Sequence, residues 1–95
     1  MNGHFQVNTV GGVTFSKHNS LNQPLFKVCP GVSGEEALEQ ASVLMNCVNK
    51  LTQLAGVSED NNALVWAAHY LGEQAKALVD DVNTGIQIAE GAQHE

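Results

Sequence analysis

The sequence predicts a mainly α fold: an antiparallel two-helix hairpin behind a short extended or β-hairpin N-terminal segment, two copies pairing into a four-helix bundle. Three observations carry this reading. Apolar residues recur at helical period over about residues 34–55 and again over about 59–83. Only a few residues around Val57 and Ser58 separate the two patterns, and helices joined by so short a turn must fold back on each other. Finally, a hairpin in a chain of 95 residues encloses few positions on all sides, so apolar groups on more than one side of each helix call for another layer. The chain accordingly divides into an arm over residues 1–24 and a helical hairpin domain over residues 25–90.

Residues 1–24 are polar and rich in Asn, Gly and Ser. Two β-prone runs, Phe5 to Val10 and Val13 to Ser16, flank Gly11-Gly12, and a two-residue turn there would set Val10 opposite Val13. The faces sort poorly, because Asn8 would share one with Val10, Val13 and Phe15. A flexible arm and a weak strand pair both remain open, and on either reading the helices form without this segment. Leu25 to Cys29 is a short apolar run stopped by Pro30-Gly31, expected to cover the start of the first helix.

Ser33 followed by Glu36 is a capping-box start, with Val32 and Ala37 placed for a hydrophobic staple and Glu35 in the first turn. Ala37, Ala41, Leu44, Val48, Leu51 and Ala55 alternate by fours and threes as a seam. Leu38 and Met45 widen it on one side; Val43, Cys47 and Leu54 form a second apolar shoulder. Gly56 suits a left-handed C-cap. Ser58 is the expected cap of the second helix, with Asn61 or Asn62 as the alternative if it begins later. Its seam is Leu64, Ala68, Leu71, Ala75, Leu78 and Val82, with Trp66 and Tyr70 one turn apart on a neighbouring face. Glu73, Lys76, Asp80 and Asp81 read as a solvated face. Gly85 weakens helix, so fraying is expected after about Asn83, with 91–95 as a tail.

Composition excludes several function classes. Four lysines stand against ten acids with no arginine, for a net charge of −6. So few cations argue against nucleic-acid binding. No apolar run reaches the ~18–20 residues that span a bilayer. The start lacks the basic and apolar regions of a signal peptide, so the expected compartment is the cytoplasm, with Cys29 and Cys47 reduced.

No constellation reads as catalytic, and no cofactor or metal is expected. His69 and Glu73, four apart, supply two ligands where zinc needs three or four. Cys47 sits among apolar neighbours as a small hydrophobe, and Cys29 has only Lys27 nearby to activate it. Asp80 and Asp81 diverge by about 100° on a helix and cannot face one point. Gly11-Gly12 lacks the Gly-Lys-Ser/Thr sequel of a phosphate loop. Trp66 and Tyr70 suit a core or an interface equally.

The stretches from Leu25 to Ser42 (LFKVCPGVSGEEALEQAS) and from Trp66 to Asp81 (WAAHYLGEQAKALVDD) resemble a family of short bacterial proteins classed as a domain of unknown function. The resemblance spans roughly Leu25 to Val82 and leaves residues 1–24 outside. It implies a helical, intracellular, non-enzymatic protein and carries over no site residue.

The functional expectation is a small intracellular protein-interaction module, not an enzyme, acting as a homodimer. Interface candidates are Leu44, Val48, Leu51, Trp66, Tyr70, Leu71 and Leu78. One alternative is a regulatory or antitoxin-like adaptor that binds another protein through the same surface; a remote one is a small-molecule or metal-binding enzyme using His69. Expected partners are a second copy or another protein, not nucleic acid or membrane.

The cap assignment is directly testable. Ser33→Ala should cost about 0.5–2 kcal/mol in thermal or denaturant unfolding, and Ser33→Asp little or nothing. Equal losses for both would refute a capping role.

Overall fold

The structure, a computed structural model, describes residues 7–17 and 23–93. It contains two short strands, β1 (Thr14–Lys17) and β2 (Pro24–Lys27), and two helices, α1 (Gly34–Val57) and α2 (Asn62–Gln93). The helices pack together along their length as the expected hairpin, and β1 also touches α2.

Ser33 caps α1: its Oγ accepts from the Glu36 N–H at 3.4 Å, a long bond, and its carbonyl accepts from Ala37 N–H at 2.9 Å. The helix runs two residues beyond the expected end. Gly56 is not left-handed; among the described residues positive φ belongs to Gly11 and Gly31. α1 instead ends at Ser58, whose extended backbone (φ −104°, ψ 136°) breaks the repeat. Ser58 therefore closes the first helix and does not open the second. α2 starts three residues later than expected, behind Asn61. The Asn61 carbonyl accepts the Val65 N–H at 2.9 Å, and its side-chain amide donates to the Ala55 carbonyl at 3.2 Å. One residue thus starts α2 and ties it to the end of α1.

The seam between the helices is made of alanine. Ala37, Ala41 and Ala55 of α1 and Ala68 and Ala75 of α2 are buried, with Val82. Leu44, Val48, Leu51, Leu64, Leu71 and Leu78 are half-buried. Small residues on the contact line let the backbones approach, and larger neighbours are then pushed to the edges of a thin layer.

The strands differ from the sequence expectation. Gly11-Gly12 does not turn one strand onto the next. β1 pairs antiparallel with β2, setting Phe15 opposite Phe26 with ring centroids 5.4 Å apart and the planes 20° from parallel. The ladder extends through the Val28 N–H, which donates to the Val13 carbonyl at 3.0 Å. The strand expected over Phe5–Val10 contributes a single bridge, Asn8 to Ser33, and Phe5, Gln6 and His18 lie outside the described residues.

Residues 7–13 are laid against the helices. Val7 C=O accepts the Gly34 N–H at 2.6 Å, at the exposed donor end of α1. Gly85 makes a second close approach: a β-carbon there would stand 2.6 Å from the Asn8 carbonyl oxygen. Gly85 therefore serves to admit this segment, and α2 continues through it to Gln93, ten residues past the expected fraying point. Within the part described, the segment expected to be a separate arm packs against both helices.

Gly85→Ala should lower stability despite the gain of ~1 kcal/mol in helix propensity, because the added methyl meets backbone. Gly56→Ala, whose β-carbon meets nothing within 4 Å, should raise stability by up to about 1 kcal/mol. Thermal melts of the two variants should move in opposite directions; matched shifts would refute the packing role of Gly85.

Candidate functional site

The least expected side chain is Asp81. The sequence reads it as part of a solvated face; the structure buries it completely, while its neighbour Asp80 stays outside and pairs with Lys76 at 2.6 Å. The Asp81 carboxylate accepts four successive backbone N–H groups. Val10 donates to Oδ2 at 2.5 Å, Gly12 and Val13 to Oδ1 at 3.0 and 3.1 Å, and Gly11 to both oxygens at 3.2 Å. Consecutive amides can converge in this way only where the backbone bends through an unusual conformation. Gly11 supplies it, with φ of 84°, against the Pro30 ring.

Burial pushes the Asp81 carboxyl up, but the backbone donors from Val10, Gly11, Val13 and Gly12 outweigh it and hold the group below the ordinary aspartate value. Asp81 is therefore an anion held by dipoles, with no cation among the donors that hold it. Both carboxylate oxygens accept from the backbone, and the clasp is a structural device.

Thr9 continues it. Buried to 4 % exposure, its hydroxyl donates to the Cys29 carbonyl at 2.5 Å and accepts the Val32 N–H at 2.9 Å. Its backbone pairs with Val32 and Gly31 at 2.7 and 2.8 Å. The 9–13 segment thus fastens the 28–32 connection, and with it the second strand, onto the helix pair.

Between these segments and the helices lies an open groove of about 650 Å³. Val28, Ala37, Leu44 and Leu78 give it apolar surface; Glu36, Glu39, Gln40 and Gln74 give it polar surface; Lys27 and Cys29 also line it. Both cysteines are free and exposed. Along α2, Trp66, His69 and Tyr70 form an exposed ring cluster, with Trp66–Tyr70 centroids 5.9 Å apart and His69 edge-on to Trp66 at 5.6 Å. His69 Nε2 lies 2.7 Å from Glu73 Oε1. Among the described residues no group of three or more His, Cys, Asp or Glu side chains could hold a metal ion.

The interface candidates separate into three places. Leu44 and Leu78 meet in the groove. Val48, Leu51 and Leu71 sit half-buried along the seam. Trp66 and Tyr70, 51 % and 41 % exposed, stand outside the core. Sequence reasoning missed Thr9, Asp81 and Gly85. One signal was available: Ala77, Asp81 and Gly85 recur every four residues, a second narrow stripe on α2 beside the main seam.

This chain belongs to the family described as Protein of unknown function (DUF3077), whose match covers residues 9–85. The match begins well ahead of Leu25 and so takes in residues 9–24 of the segment that the resemblance placed outside. No curated protein and no solved structure matches the chain. Among the described residues no helix is long and apolar enough to cross a membrane.

Asp81→Asn should destabilise by about 2–4 kcal/mol at neutral pH, since it replaces an acceptor of four N–H groups with an amide that must turn a donor toward some of them. A carboxyl lowered by folding stabilises fully above the unfolded value near 3.9, and that contribution falls away as pH drops through the folded value. Urea unfolding should show a large gap between wild type and Asp81→Asn at pH 7 that narrows below about pH 4. A gap independent of pH would show that the charge does not matter.

Proposed function

We propose that this protein is a small protein-interaction module that acts in the cytoplasm as a homodimer and catalyses no reaction. One observation carries the reading: large apolar side chains are exposed on both helices. Leu38, Val43, Met45 and Leu54 of α1 are 43–54 % exposed, and Val65, Trp66, Val79 and Ile88 of α2 are 45–57 % exposed. A monomer normally scatters such groups, and so many on one thin helix pair mark a surface for another protein. The groove combines apolar surface with carboxylates, amides, one lysine and one thiol.

The adaptor reading has its own support. Trp66 and Tyr70 are residue types enriched at interface centres, and here they are solvent-facing on one helix. A module can pair with itself through one surface and take a different protein through another.

Sedimentation of the full chain at micromolar concentration should give twice the monomer mass of 10.1 kDa. A cooperative, well-folded monomer across the micromolar range would refute the homodimer.

A further inference from the structure

The helix pair is a layer with two unlike faces. On one side the 7–13 segment packs over Asp81 and Gly85, and the groove opens between Gln40 of α1 and Gln74 of α2. On the other side the seven-residue spacing aligns Leu38 with Met45 along α1, and Val65, Gly72, Val79 and Ile86 along α2. In an antiparallel pair, positions rotated the same way from the seam share a face, so the two lines lie side by side. They hold no charged residue. Leu38, Met45, Val65, Val79 and Ile86 are 36–50 % exposed, and a β-carbon on Gly72 would meet nothing within 4 Å.

We propose that this second face is the self-association surface and that a second copy of the same chain covers it, a refinement that rests on the homodimer reading above. The area argues for a copy. The helix pair alone is a layer one helix deep, ~10 Å. A two-helix face about 36 Å long and ~20 Å wide offers roughly 700 Å², near the ~800 Å² per partner of a standard interface. Stacking two such layers face to face completes a core that one layer cannot enclose. Charge argues the same way. A chain of net charge −6 repels its copy, and these uncharged lines let two copies meet without opposing carboxylates. Gly72 then has a use: mid-helix and uncovered, it disfavours the helix of a lone chain, but it permits close approach by a neighbour's backbone.

The test compares full-length variants by sedimentation equilibrium and circular dichroism. Met45→Glu with Val79→Glu places four carboxylates in the dimer on positions already exposed in one chain, so helicity should persist while dimerisation weakens at least tenfold. Gly72→Leu should keep helicity and weaken the dimer. Trp66→Ala with Tyr70→Ala, on the other side of α2, should leave the dimer intact. A dimer that survives the glutamates but falls apart on loss of Trp66 and Tyr70 would overturn this face and leave the homodimer standing. A wild-type monomer would overturn both. Should the glutamate variant fail to fold, single cysteines at Val65, Gly72 and Val79 in a Cys29→Ser, Cys47→Ser chain give a second readout. A short bis-maleimide should link two copies through at least one of them, and linkage only through a control cysteine at Lys50 would overturn the assignment.

Discussion

Residues 10–13 are held against the helix pair by one carboxylate. Asp81 lies 68 to 71 positions from the amides it binds, so its burial fixes the course of the leader across the whole chain. Once residues 10–13 are wrapped on it, Thr9 is delivered to Cys29 and Val32, and β1 leaves in register with β2. The Val7 carbonyl then arrives over the first turn of α1. A neutral side chain could fill the same space, but it could not accept four donors at once, and unpaired amides in a buried loop are costly. The dipoles that suit the anion are backbone dipoles, which only a proline substitution would remove, and Gly11 is needed to aim them.

The alanine seam has the opposite character. It brings two helices close with little buried volume per residue, and buried volume is what stabilises a small domain. The structure offsets this in two ways. It adds the leader and strand pair as a partial second layer at one end, near the start of α1 and the latter half of α2. It also leaves the middle-sized and large apolar groups at the edges of the layer, available to a further one.

Much of this was legible in the sequence. The helical period, the Ser33–Glu36 start and the short connection were enough for the two-helix hairpin, because each rests on local spacing. The helix boundaries were less so. Ser58 has the chemistry of an N-cap, yet its place is decided by Asn61 bonding back to Ala55, a contact between elements. Gly85 reads as a helix breaker by propensity, and packing against Asn8 overrides that propensity. Asp81 was misread for a similar reason. Charge predicts exposure unless compensation is arranged, and here the compensation comes from amides about 70 positions away, which no window of the sequence contains. Gly11-Gly12 looked like a hairpin turn because glycine permits many turns; what it builds is a cradle.

The extent of the family match ties these parts together. It runs from residue 9 to residue 85. Residue 9 is the threonine that fastens the leader to the 28–32 connection, and residue 85 is the glycine that admits the leader to α2. A unit defined by the two helices alone would begin near Leu25 or Ser33 and end wherever α2 frays. Within the matched residues, Thr9 fastens the 28–32 connection and Asp81 holds residues 10–13 against α2. In this chain the leader closes one face of the helix pair. Closing that face is also what makes the two sides unlike: residues 7–13 lie over one, while Leu38, Met45, Val65 and Val79 stay exposed on the other.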